Sequence, residues 1–256
     1  MTVSLGWLPD TAYIFLLLFA RVGTMLMLIP ALGEQNIPTR MRLSFALALC
    51  LVFYPLLSGS LPSLPADILG ILGLLVHEVI VGLILGGIAR LSVQATQIAG
   101  AVIAYQAGLS IAQVADPTQG GIQGALIGSF LSFLGITLIF ATDLHHVALA
   151  AIHDSYMVFP PSAPLMLDDA LRLAIEATAA SFIIGVQMSA PFIVFGLVFY
   201  LGLGILSRLM PQLQVFFIAM PATIGIGLIL MALLLAMMMG WFLMHFEVQL
   251  AMLRGV

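Results

Sequence analysis

Six long apolar stretches divide this chain, roughly Thr11–Leu32, Met41–Leu57, Ile68–Ile88, Ile122–Thr142, Ala170–Leu201 and Val215–Phe246. Each approaches or exceeds the ~20 residues a helix needs to cross ~30 Å of hydrocarbon. No water reaches a bare peptide group inside a bilayer, so each stretch must close its hydrogen bonds within itself. The expected fold is therefore an all-α polytopic membrane protein, one membrane domain over residues 1–256. The second stretch is the shortest. The last two are long enough to tilt, kink or project beyond the bilayer. Pro191 in the fifth, Pro221 in the sixth and Pro211 between them are the expected kinks.

Charge supports the same class. Only 7% of the residues are charged and 62% are hydrophobic, against ~25% charged in a soluble domain. There is no lysine, and the formal charge of -4 leaves no basic stripe for nucleic acid. The single cysteine, Cys50, lies in an apolar run, where it can form no internal disulfide and reads as a small buried hydrophobe. No basic region precedes the first apolar stretch, so that stretch is expected to be retained rather than cleaved. Arg40, Arg42, Arg90 and Arg208 fall in the odd connections, which by the positive-inside rule face the cytoplasm. The expected path is six crossings with both ends outside. Arg172 and Arg254 break the pattern, each close to acidic residues.

The stretch Leu91–Gly124 interrupts the apolar pattern. Its first half reads as a helix, with Thr96, Gly100, Ala104 and Gly108 four apart, a ridge of small residues that admits a close neighbour. Its second half does not read as regular structure. Asp116 precedes Pro117, which disfavours helix, and Gly120-Gly121 follows. Irregular backbone at membrane depth survives only where protein or water satisfies it. Two readings stay open: a loop inside a channel or cavity, a candidate plug, or an ordinary cytoplasmic loop. Further ridges run through Gly82 and Gly86, through Gly120, Gly124, Gly128 and Ser132, and through Ala177, Ser181, Gly185 and Ser189. They fit packing against other subunits or within one chain.

Enzyme motifs fail on inspection. His77-Glu78 lacks the second histidine of the zinc-protease pattern. Gly108-Leu109-Ser110 continues into Ile111, not into a nucleophile elbow. In Asp143-Leu144-His145-His146, adjacent helical histidines diverge by about 100°, so a polar helix end at the membrane surface is the better reading than a metal site. Arg21 and Glu78 lie near the middle of the first and third stretches. A lone ionised group at bilayer centre costs at least ~2.5–3.5 kcal/mol. They must face water, pair with each other, or lie off the bilayer centre. The fifteen methionines, Met25, Met27 and Met237–Met239 among them, could seal a pore, but lipid-facing filler is preferred.

Four ordered segments then carry a resemblance over essentially the whole chain: FARVGTMLMLIPALGEQNIPTRMRLSFALAL from Phe19, HEVIVGLILGGIARL from His77, QIAGAVIAYQAGLSIAQVADPTQGG from Gln97 and SRLMPQLQVFFIAMPATIGIGLILM from Ser207. They resemble the FliR/SctT family of bacterial type III export-gate proteins. Members often have Gly where Ala219 stands and Asn where Gln214 stands. The resemblance implies a gate in the bacterial inner membrane, in the flagellar basal body, with one copy of this subunit, five FliP-like and four FliQ-like subunits. It also implies FlhA-like and FlhB-like partners and unfolded flagellar proteins as cargo. It implies a subunit similar to a fusion of its P-type and Q-type partners, with tilted, kinked helical hairpins, much of them above the bilayer plane. The family's plug maps onto Gly108–Gly121, with Gly108, Leu109, Ser110, Ile111, Asp116, Pro117, Gly120 and Gly121 as its gating residues. No cofactor or catalysis is implied. The detailed match favours a flagellar over an injectisome role. A secondary transporter built around the broken region and Arg21/Glu78 is the competing class, but it lacks paired interrupted helices in two halves.

Overall fold

Backbone self-satisfaction governs this fold, as the apolar runs require. The computed structural model describes residues 8–34, 37–109, 120–164, 167–210 and 215–253, and seven α-helices account for most of them. They are α1 (Leu8–Leu28), α2 (Thr39–Leu57, followed by a single 3-10 turn), α3 (Ile68–Gln106), α4 (Gly120–Ala141), α5 (Leu144–Val158), α6 (Leu167–Leu209) and α7 (Val215–Leu253). Five helices are long and apolar enough to cross a membrane, and a sixth span is possible if the bent pair α4–α5 counts as one. That pair turns through 79° at its break.

Three expectations change. First, the third apolar stretch and the helical half of 91–124 are one continuous helix of 39 residues. At 1.5 Å per residue α3 is about 58 Å long, nearly twice the hydrocarbon thickness, so it must tilt steeply or extend beyond the bilayer. Second, the polar connection after the fourth stretch, expected over about 143–169, is mostly the helix α5. Its Ala148, Ala151, Ile152, Ser155 and Tyr156 are buried, a three-and-four spacing that marks one helix face. Third, Gly120 and Gly121 open α4 rather than ending a loop. Two glycines cost roughly 1 kcal/mol each in a helix, but Gly120 continues the Gly124–Gly128–Ser132 ridge, whose four-residue spacing has meaning only on a helix. The helices run through Pro191 and Pro221, and through Pro55 in α2; Pro211 lies outside the described residues.

The chain gathers into two compact units, each discontinuous in sequence. The first comprises Met1–Leu91, Ile139–Thr178 and Glu247–Val256. Its core holds Leu17, Leu18, Val22, Met25 and Leu26 of α1, Val81 and Leu85 of α3, and Ile152 of α5. The Gly82/Gly86 ridge lies on α1. A Cβ at Gly82 would overlap Thr24 Oγ1, and one at Gly86 would come within 2.9 Å of Leu28 Cβ and 3.0 Å of Met25 O. Successive contacts advance together along both helices, so α1 and α3 run parallel, as two crossings separated by a return through α2 should.

The second unit comprises Ser92–Leu138 and Ala179–Phe246. Its core includes Ala95, Ala99, Ile103, Leu131, Met188, Phe192, Met238 and Phe242. The C-terminal half of α3 is its axis. Gly128 of α4 meets Gly100, Gly185 of α6 packs within 2.8 Å of Ile98 Cβ, and Gly227 of α7 packs on Ala107. Gly196 of α6 meets Gln106 farther along, so α6 runs parallel to α3 and α4 antiparallel. Met25, Met238 and Met239 are buried, which corrects the reading of these methionines as lipid-facing filler. The outward faces stay apolar: Leu51, Val52 and Leu56 on α2 and Leu197, Val198 and Leu201 on α6 are each more than half exposed. Such faces suit lipid or a neighbouring chain and would be costly in water.

Candidate functional site

Charge in the first unit is resolved locally. Arg21 on α1 and Glu78 on α3 are both fully buried. Because the two helices run parallel at close range, the side chains meet as a planar fork. Arg21 Nε donates to Glu78 Oε2 at 2.8 Å and Nη2 donates to Oε1 at 2.8 Å. The same guanidinium donates from Nη1 to Ser155 O at 3.0 Å and from Nη2 to Phe159 O at 2.8 Å. Ser155 O lies in the last turn of α5 and also accepts the Phe159 N–H at 2.9 Å, while Phe159 is the residue just beyond the helix; a helix C-terminus favours a cation there. The Tyr156 ring lies beneath the guanidinium, its centroid 4.1 Å from Cζ. His77 Nδ1 lies 3.3 Å from Glu78 Oε1. Arg21 thus ties three helices together through four of its five N–H groups.

Sequence reasoning considered Arg21 and Glu78 together but missed Ser155, Tyr156 and Phe159. A signal existed. A helical face in VALAAIHDSYMVF, ended by Phe159-Pro160, leaves carbonyls at its end that need a donor.

The second unit holds the hairpin that flanks the candidate plug. Gly108 has φ 72°, a region that disfavours side chains. Its N–H donates to Tyr105 O at 3.1 Å, and Leu109 N–H donates to Ala104 O at 3.0 Å. This paired 5→2 and 6→1 pattern is a Schellman stop. Gly108 therefore ends α3, and Leu109 is the first residue beyond it. Ser110, Ile111, Asp116 and Pro117 lie outside the described residues, and the chain resumes at Gly120 as α4.

The two small-residue ridges then meet antiparallel. Thr96 Oγ1 and Ser132 Oγ are 2.6 Å apart. Thr96 donates its one proton to Val93 O at 2.7 Å, so Ser132 is the donor to Thr96. Ser132 in turn accepts from Gln97 Nε2 at 2.8 Å. This directed chain satisfies both buried hydroxyls where no water is available. Changing Gly108 to Ala should cost about 1–2 kcal/mol through left-handed strain, and Gly108→Asn less. Amide exchange over residues 103–109 should speed up in that order; equal protection in all three chains would refute the stop.

The comparisons with known proteins agree across the chain. A family profile described as bacterial export proteins, family 1, matches residues 12–248. The chain is 45% identical to the flagellar biosynthetic protein FliR of Caulobacter vibrioides over 224 residues, 88% of this chain and 89% of that one. It is 36% identical to FliR of Bacillus subtilis over 220 residues, 85% and 84% of the two chains. It is 25% identical to the Yop proteins translocation protein T of Yersinia pestis over 228 residues, 88% and 87% of the two. By the extent of the profile match and by identity over most of both chains, this protein belongs to the bacterial export proteins, family 1, together with the flagellar FliR proteins.

Proposed function

We propose that this chain is a structural subunit of the flagellar type III protein export gate, seated in the bacterial inner membrane within the basal body. The observation that carries the reading is the match to FliR proteins over 88% and 85% of the chain, with the injectisome relative at lower identity. The subunit assembles with FliP-like and FliQ-like chains, one copy to five and four, and meets FlhA-like and FlhB-like export proteins. Unfolded flagellar proteins pass through the pore. The apolar outward faces of α2 and α6 support packing against such neighbours and lipid.

The segment between Gly108 and Gly120 is the plug. Supporting this is the helix stop at Gly108, and a backbone-close hairpin that holds both ends of the segment a few turns from the Gly100–Gly128 crossing. The two ends are therefore fixed while the segment between them closes the throat. A transporter is disfavoured by Arg21. Four of its N–H groups are already committed to protein acceptors, which leaves little of the charge to recognise a substrate.

The test has two arms. Tagged chain purified from its own membranes should bring down P-type and Q-type subunits in one complex; recovery as a lone homo-oligomer would refute the gate reading. Deleting residues 110–119, which spares both helices, should leave that complex intact and raise ion conductance across the membrane. Unchanged conductance with intact assembly would remove the plug while leaving the gate.

A further inference from the structure

The break between α4 and α5 gathers groups that the export function does not use. Asp143 caps α5 at φ 59°, ψ 12°, a left-handed conformation that aspartate tolerates better than most residues. Its carbonyl accepts the His146 N–H at 3.0 Å, and its own N–H donates to Phe140 O at 3.3 Å. Its carboxylate lies 3.7 Å from His146 Nδ1. The Cβ directions of His145 and His146 diverge on α5, yet side-chain rotation brings the rings together, with centroids 4.0 Å apart and planes at 37°. The Phe140 ring stands against His145 at 5.0 Å. His145 Nδ1 is shielded from solvent and has no hydrogen-bond partner. One ligand atom from each of Asp143, His145 and His146 lies within 4.8 Å of the other two.

We propose that Asp143, His145 and His146 form a binding site for a divalent transition metal of the zinc, nickel or copper kind. Two imidazoles and a carboxylate match that class, whereas magnesium and calcium call for oxygen donors throughout. Metal–ligand bonds of about 2.0–2.2 Å place tetrahedral ligand atoms roughly 3.4 Å apart. The cluster must therefore close by about an ångström. The Asp143 and His146 side chains are 79% and 68% exposed, so both can rotate without disturbing the core. The metal supplies the acceptor that His145 Nδ1 lacks, and it links the residue before α5 to the first turn of that helix. Three protein ligands leave a coordination position open for water or for a donor from another chain.

Full-length protein carrying no histidine tag and stripped with EDTA should be titrated with Co2+, whose visible absorption reports imidazole ligation, and then with Zn2+ in competition. One equivalent should bind at micromolar metal. His146→Ala and Asp143→Asn should each weaken binding by at least the ~10–100-fold seen when even an outer-shell partner is lost. His153→Ala lies on the same helix, where His153 pairs with Asp154 at 3.1 Å, and should leave binding unchanged. An unaltered gel-filtration profile would show that each variant is folded. The site is refuted if the parent takes up no metal, if uptake survives both His145→Ala and His146→Ala, or if His153→Ala weakens it equally.

Discussion

Arg21→Leu should destabilise the chain by about 3–5 kcal/mol, the cost typical of breaking a buried ion pair from one side. The substitution leaves Glu78 buried without a counter-charge. It also removes the guanidinium donors that Arg21 gives Ser155 O and Phe159 O at 3.0 and 2.8 Å, leaving Ser155 O only the Phe159 N–H. Glu78→Leu should cost somewhat less, because the guanidinium keeps those two carbonyls. The double replacement removes both charges and should cost well below the sum of the singles. What remains in the double variant is the loss of the carbonyl contacts and of the ring stack on Tyr156. Arg21→Lys should not rescue, since one ammonium cannot span a bidentate carboxylate and two carbonyls. Thermal midpoints in detergent, with yields of assembled complex, would read all four chains. Single losses that add within ~0.5 kcal/mol would show that the pair is not coupled.

Much of this arrangement was legible in the residues, for a reason that can be stated. Lipid forbids unpaired backbone, so all six apolar runs became helices; the first, second and fourth kept their ends to within about four residues, while the third, fifth and sixth ran well past theirs. Small-residue spacing located the surfaces of closest approach, and the ridges at Gly82, Gly100, Gly128 and Gly185 all meet neighbouring helices. Which ridge met which was not legible, because a four-residue spacing carries no address. Nor was the length of α3, since Gln94, Gln97 and Thr96 look too polar for a span. On the folded chain Thr96 and Gln97 join the hydrogen-bonded chain through Ser132, a satisfaction that only tertiary structure reveals. α5 was missed because His145, His146, His153 and Asp154 break up its apolar run, and three of its five buried residues are Ala148, Ala151 and Ser155, which carry little hydropathy. With α5 unseen, the third partner of Arg21 was unseen too. The proposed plug residues Ser110, Ile111, Asp116 and Pro117 lie outside the described residues and rest on the resemblance alone.

Gly100→Ala should weaken the hairpin that flanks the proposed plug segment, and a ranked glycine series shows why. A Cβ at Gly100 would fall on the backbone of Gly128, with the Ile127 carbonyl carbon at 2.9 Å. Backbone cannot swing aside, so α3 and α4 must separate. Overpacking typically costs 1–3 kcal/mol, and this contact belongs at the upper end. Against it stands the roughly 0.5–1 kcal/mol that alanine gains over glycine within a helix, which leaves a net loss of about 2 kcal/mol. Gly128→Ala presses chiefly on the Gln97 side-chain amide, with Gln97 Cδ and the backbone Cα each 3.3 Å away. That side chain can rotate, giving up its bond to Ser132 at about 1 kcal/mol, so the net change should be close to zero. Gly87 has nothing within 4 Å of its added carbon, and Gly87→Ala should stabilise the isolated chain slightly. The order Gly87, Gly128, Gly100 in melting temperature follows from what each new methyl meets and not from glycine content. Amide exchange should separate them further, with faster exchange over 96–108 and 126–132 in Gly100→Ala alone. Equal stability of Gly100→Ala and Gly87→Ala would mean that the α3–α4 crossing is not held at backbone contact, and the plug segment would lose its fixed ends.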